Sequence, residues 1–259
     1  MTEKEYNEQD KKTTQEMYNE ITKNYAGLNL PIEKPKYDKN GNLTNEKDVK
    51  KSLKEILPIL LILWETNLAI VERKSKKIMT NTNVYINTLK KASKMGKTSI
   101  STSEWNSIMV ALLKERQEAI KIKQVIRGNA NVLNKKVQKL VNEMYKDGKS
   151  WPQTSKKLQQ LYGYNEKKAK SIAITEKNYY KSEAQLQAID NIKQNVKKTW
   201  IHNRAREPRG SHLHAEGQVA DKKGYFHIAG LLTEAPQHFG DPSQDINCHC
   251  TMRIEVKGE

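Results

Sequence analysis

Cys248 and Cys250 close the chain in the run Asn247-Cys248-His249-Cys250, and they are its two cysteines in 259 residues. All six histidines (His202, His212, His214, His227, His238 and His249) fall in the same last fifth, downstream of Trp200. Thiolates and imidazoles are the ligands of tetrahedral zinc. Alternate residues on an extended strand point the same way, so Cys248 and Cys250 present two thiolates to one ion after modest bending, while the His212-x-His214 pair offers imidazoles from a loop. Cys248, Cys250, His212 and His214 are the expected ligand set, and zinc the one cofactor the sequence suggests. The plainer reading keeps both thiols as small buried side chains, free cysteine being among the most buried residue types. On a strand their sulfurs stand roughly 6–7 Å apart, too far for a disulfide, which points to a reducing compartment.

The same residues admit a catalytic reading. His212 would serve as general base or metal ligand, Arg204, Arg206 and Arg209 would bind a phosphate, and Asp241 or Asp245 would complete a metal site. The sequence holds no HExxH, GxSxG or P-loop signature to support a particular reaction. The arginines pair equally well with Glu207 and Glu216.

The elements that must position these residues change character near residue 197. Before it the texture is helical. Met17, Ile21 and Tyr25 recur at four-residue spacing in a helix over 13–25, and prolines and an Asn-Gly turn make 29–46 a loop. From Asn45 a stripe of Val49, Leu53, Ile56, Leu60 and Leu63 predicts a long helix that Pro58 kinks or restarts. Further helices are predicted over 80–95, 103–125 with Ser103 as cap, 130–147, 154–162 ending at Gly163, and 165–196. After 197, strands are predicted at 198–202, 225–228 and 251–256. The fold class is thus mainly α over about 1–196, followed by a small α+β module too short to make a core unaided. Ile172, Tyr179, Leu186 and Ile189 on the last long helix offer it a packing face.

Composition bounds the function. Only 36% of residues are hydrophobic against 29% charged, so the core is thin and partners are expected to complete it. The amino terminus lacks an apolar stretch and the longest apolar run stops at Glu65, short of the ~20 residues a membrane span needs. No membrane span is expected. Net charge is +16, and residues 101–200 carry 20 Lys+Arg against 9 Asp+Glu. A lysine-rich helical surface of this kind favours a polyanion through phosphate neutralisation, although charge runs are often no more than solvated faces.

Ala173-x-Thr175-Glu176 on a helix, Lys197-Lys198-x-Trp200, Arg209-x-x-His212 with Gly217 after it, Gly240-Asp241-Pro242 and Asn247-Cys248-x-Cys250 follow one another in order. Together they resemble the Mu-F-type head morphogenesis proteins, minor capsid components of tailed phages. The resemblance covers roughly 165–256; it divides the chain into a basic helical region, 1–160, and a Mu-F-like domain, 161–259. It implies a protein built into the procapsid through the portal protein, lying inside the head after assembly in the host cytoplasm and contacting packaged double-stranded DNA. Scaffold and major capsid proteins are further partners it suggests. It makes enzymatic activity optional, and the chain's end nine residues after Cys250 leads us to expect no appended effector. The family-motif residues so marked are Thr175, Glu176, Trp200, Arg209, His212, Gly217, Asp241, Pro242, Asn247, Cys248 and Cys250. Ala215-Glu216 departs from the Leu-Asp the family often carries. Some relatives carry cysteines where Arg209 and His212 stand, and Arg209 cannot ligate a metal, so zinc here would need His214 or His249. The competing function from another class is a nuclease-like or toxin-like C-terminal enzyme module.

Overall fold

The computed structural model describes residues 1–34, 36–40, 42–92, 101–147, 150–190, 196–203 and 207–256. Among these, long helices come first: α1 (Glu3–Ala26), α2 (Glu46–Ala92), α3 (Thr102–Ala119), α4 (Ile122–Asp147) and α5 (Trp151–Asp190). A strand-bearing module follows, with β1 (Val196–Ile201), α6 (Gly210–His214), β2 (Phe226–Ile228), β3 (Leu231–Thr233), α7 (Pro242–Asp245) and β4 (Thr251–Val256). The protein is mainly α with a small C-terminal α+β module.

Helix boundaries moved where caps and packing outweigh local signals. α1 starts at Glu3 rather than near residue 13, because Thr2 and Glu5 cap it reciprocally: Glu5 N–H donates to Thr2 Oγ1 at 3.2 Å and Thr2 N–H to Glu5 Oε2 at 2.7 Å. The same device at Ser101 and Glu104, not Ser103, opens α3. α2 runs unbroken for 47 residues and takes in both Pro58 and, as far as Ala92, the helix expected over 80–95, whose last residues lie outside the described ones. An interior proline costs about 3 kcal/mol, yet Val49, Leu53, Ile56, Leu60 and Leu63 are buried on both sides of it, and that burial offsets the loss. α5 likewise continues through Gly163, where the helix over 154–162 was expected to end. Asn165 Nδ2 donates to Leu161 O at 2.9 Å across the glycine, and Leu158 and Asn165 are buried on either side. The chain instead breaks at Lys121, whose φ of 47° ends the helix expected over 103–125 and lets α4 begin at Ile122.

Packing gathers the chain into two compact units, one of Met1–Met17, Val71–Arg116 and Ser171–Glu259, the other of Tyr18–Ile70 and Gln117–Lys170. The first holds the C-terminal module. An apolar cluster joins Tyr6, Met79, Ile86, Trp105 and Tyr180 to Ile254 of β4, with Tyr6 and Tyr85 stacked at 4.6 Å. Another surrounds Trp200 with Phe226, Ile228, Cys248, Cys250 and Met252.

Within the module β1 pairs antiparallel with β4, register Trp200↔Met252, and β2 with β3, register Phe226↔Thr233. The β2–β3 loop is Ala229-Gly230, at φ 54° and 76°, the two left-handed residues a tight primed turn requires. β3 has three residues and an Ala-Gly turn rather than Asn-Gly, so the sequence carried little sign of it. On its other edge β1 meets 217–220: Gly217 N–H donates to Trp200 O at 2.9 Å and Trp200 N–H to Gln218 O at 2.8 Å. Gly217, at φ 78°, turns the chain into that pairing.

A candidate metal centre on a polar helix seam

α5 meets the closing segment of the chain with polar groups rather than apolar ones. Thr175, Asn178, Ser182 and Gln185 recur at three- and four-residue spacing along one stripe, and all are buried. Thr175 Oγ1 donates to Ser171 O and accepts from Asn247 N–H, both at 2.8 Å. Asn178 Nδ2 donates to Cys248 O at 2.8 Å and Gln185 Nε2 to Met252 O at 3.2 Å. Ser182 Oγ donates to Gln237 Oε1 at 3.1 Å, which turns Gln237 Nε2 toward Cys248 O at 2.9 Å. An irregular segment inside a protein must find partners for its carbonyls, and this seam supplies one at Cys248 and another at Met252, where the segment has entered β4. Of the apolar face expected to receive the module, Leu186 packs on the Trp200 cluster, whereas Tyr179 and Ile189 pack on the other.

Gln237→Leu tests the seam. It strips the amide from Cys248 O and leaves Ser182 Oγ without its acceptor, which costs about 1–3 kcal/mol. The urea midpoint should fall accordingly; an unchanged midpoint would show that the amide is not the clamp.

The remaining motif residues build what the clamped segment faces. Trp200 is fully buried, with ring centroids 5.3 Å from Phe226, 6.0 Å from Phe239 and 5.7 Å from His212. Asp241 caps α7 by accepting from Ser243 N–H at 2.8 Å, and Pro242 starts that turn without needing an amide donor. The turn delivers Gln244, whose Oε1 lies 3.0 Å from His212 Nε2. Arg209 reaches across to donate to Ile246 O at 2.6 Å, fixing the approach to Asn247, which turns at φ 56°. Glu176 faces elsewhere. It binds Arg116 through both oxygens, at 3.0 and 3.1 Å, and Arg116 lies 4.0 Å over the Tyr179 ring.

At the centre stand His212, Cys248 and Cys250, all buried, with one ligand atom from each within 4.8 Å of the others. His212 Nδ1 is 3.5 Å from Cys248 Sγ and 3.6 Å from Cys250 Sγ. The cysteines precede β4 rather than lying on it, so a bend, not strand alternation, brings their sulfurs to one imidazole. The hydrogen bond between the thiols, with help from His212, pushes Cys248 down against the effect of burial. The same bond and burial push Cys250 up.

His214 is not part of this group. α6 makes 210–214 helical, and residues two apart on a helix do not share a face, so His214 is exposed where His212 is buried. The catalytic arrangement is not assembled among the described residues either. Asp241 caps α7, Asp245 Oδ1 accepts from Phe239 N–H at 3.1 Å, and Arg209 holds a backbone carbonyl. Arg204 and Arg206 lie outside the described residues. Sequence reasoning missed Gln244, Gln237, Asn178 and Gln185. The last two carried a signal, since they share a helical stripe with Thr175.

Residues 135–253 match the family model described as Phage Mu protein F like protein. Among curated proteins the chain is similar to the NAD(+)–arginine ADP-ribosyltransferase EFV of Enterococcus faecalis, 30% identical over 113 residues, a stretch covering 42% of this chain and 23% of that protein. The chain therefore spans less than a quarter of that relative's length. No solved structure matches it.

Proposed function

We propose, on the premise that residues 135–253 belong to the Phage Mu protein F like family, that this chain is a phage head morphogenesis protein, a minor capsid component. It is held at the portal inside the head and faces the packaged DNA. The family match is the observation that carries this reading, and the motif geometry supports a structural role: Thr175, Trp200, Arg209, Gly217, Asp241, Pro242 and Asn247 each serve a turn, a cap or a buried contact. We take 161–259 as the Mu-F-like domain and 1–160 as a basic helical region, parts of which pack in one compact unit with the C-terminal module. Scaffold and major capsid proteins are further candidate partners. No helix among the described residues is long and apolar enough to cross a membrane.

Co-expression of the full chain with the portal protein of the same phage tests the portal contact. Co-elution on size exclusion is expected, and separate elution at micromolar concentrations would remove the contact.

The DNA contact has its own support. Residues 117–170 hold 13 Lys+Arg against 4 Asp+Glu, and Lys123, Arg127, Lys135, Lys136, Lys156 and Lys157 are exposed. Binding to duplex DNA should be insensitive to sequence and fall steeply with salt, log K against log salt losing about 0.9 for each neutralised phosphate. Changing those six residues to alanine should flatten the slope by that amount per lost contact. An unaltered slope, or no binding at low salt, would end the DNA role.

A further inference from the structure

We infer that His212 Nδ1 and the sulfurs of Cys248 and Cys250 hold one divalent cation of the zinc class, with a fourth ligand supplied from solvent. The distances carry it first. Zinc sits about 2.3 Å from a thiolate sulfur and about 2.0–2.1 Å from an imidazole nitrogen, and at a tetrahedral angle those bonds separate nitrogen from sulfur by about 3.6 Å. The structure sets His212 Nδ1 at 3.5 Å from one sulfur and 3.6 Å from the other.

The imidazole is prepared from behind. Gln244 Nε2 donates to Ser243 Oγ at 3.2 Å, which leaves Gln244 Oε1 to accept from His212 Nε2–H at 3.0 Å. With a metal bound, the proton then sits on Nε2 and the Nδ1 lone pair faces the sulfurs. A polar partner on the distal ring nitrogen is the usual support of a metal-bound histidine. Phe239, stacked on the His212 ring at 5.4 Å, fixes its plane.

Chemistry selects the ion. Two thiolates neutralise a doubly charged cation, so the buried centre carries no net charge, and sulfur ligands exclude magnesium and calcium. Trp200 Nε1–H is buried in the same cluster with the Cys250 sulfur as its weak acceptor, and a metal-bound thiolate would accept from it more strongly. The site differs from the four-residue set read from sequence by excluding His214. It rests on the geometry of the C-terminal module alone and stands or falls apart from the head-protein reading.

The test uses the full chain purified without a histidine tag. Elemental analysis is expected to find about one zinc per chain. Cobalt added to chelator-treated protein should give the intense visible bands of tetrahedral coordination and a thiolate-to-cobalt charge-transfer band. Both thiols should resist a maleimide until a chelator is added. His212→Ala and Cys248→Ser should lose these signatures, and His214→Ala should keep them. Should the first two variants fail to fold, the cobalt spectrum and thiol protection of the unaltered chain decide alone. Folded protein with no zinc, no cobalt spectrum and thiol labelling indifferent to zinc would overturn the inference, as would equal loss in His214→Ala.

Discussion

Asp10→Asn is expected to lower the unfolding free energy by about 3–5 kcal/mol, the cost of removing one partner from a buried ion pair. Asp10 lies between two lysines of α5. Lys177 Nζ is 2.8 Å from one carboxylate oxygen and Lys181 Nζ 2.7 Å from the other, and the three side chains are 12%, 3% and 3% exposed. Burial pulls the Asp10 carboxyl up, but the two ammonium groups outweigh it and hold it well below the ordinary carboxylate range. At Lys177 burial wins and lowers the amine; at Lys181 Asp10 and Tyr6 outweigh burial. An amide leaves both amines in a dry site without a counter-charge. Because the folded carboxyl is depressed, its stabilisation is complete above about pH 4 and is lost as pH falls through the folded value. Wild-type and variant stabilities should differ at neutral pH and converge in strong acid. A gap under 1 kcal/mol at pH 7 would show that the lysines find other partners.

Trp200→Ala should cost about 3–5 kcal/mol by emptying the centre of the module's core. The indole is fully buried among Phe226, Phe239 and His212, so truncation removes packing from the hairpin, the segment before α7, and α6 together. Trp200→Phe keeps most of that area and gives up only the weak contact of the indole N–H with the Cys250 sulfur. It should cost distinctly less. Equal thermal shifts for the two variants would mean that the indole N–H, not its bulk, holds the core.

How far the sequence could be read follows from which forces were local. The apolar periodicity of Val49 to Leu63 and the alternation of Met252, Ile254 and Val256 are local, and α2 and β4 stand where they were expected. Breaks were harder to place. Gly163 and Pro58 are strong local punctuation that tertiary burial overrode, while the turn at Lys121 has no glycine or proline to mark it. At the candidate centre, Cys248, Cys250 and His212 were legible from residue type. His214 was misleading because a short helix replaced the expected loop and reversed its direction. Gln244 was invisible because its role depends on α7 folding back on α6, and nothing in Asp-Pro-Ser-Gln states that. The buried polar stripe of α5 escaped notice because burial was sought in apolar residues, whereas carbonyls of an irregular segment need donors.

The proposed residence in a phage head is tested most directly on gradient-purified particles of a phage whose genome encodes this chain. Peptides from it, measured by mass spectrometry after protease treatment of intact particles and again after the heads are opened, should be present in both cases at few copies per particle, and digested only in the second. Absence from purified particles, or digestion while the heads are still closed, would contradict the assignment.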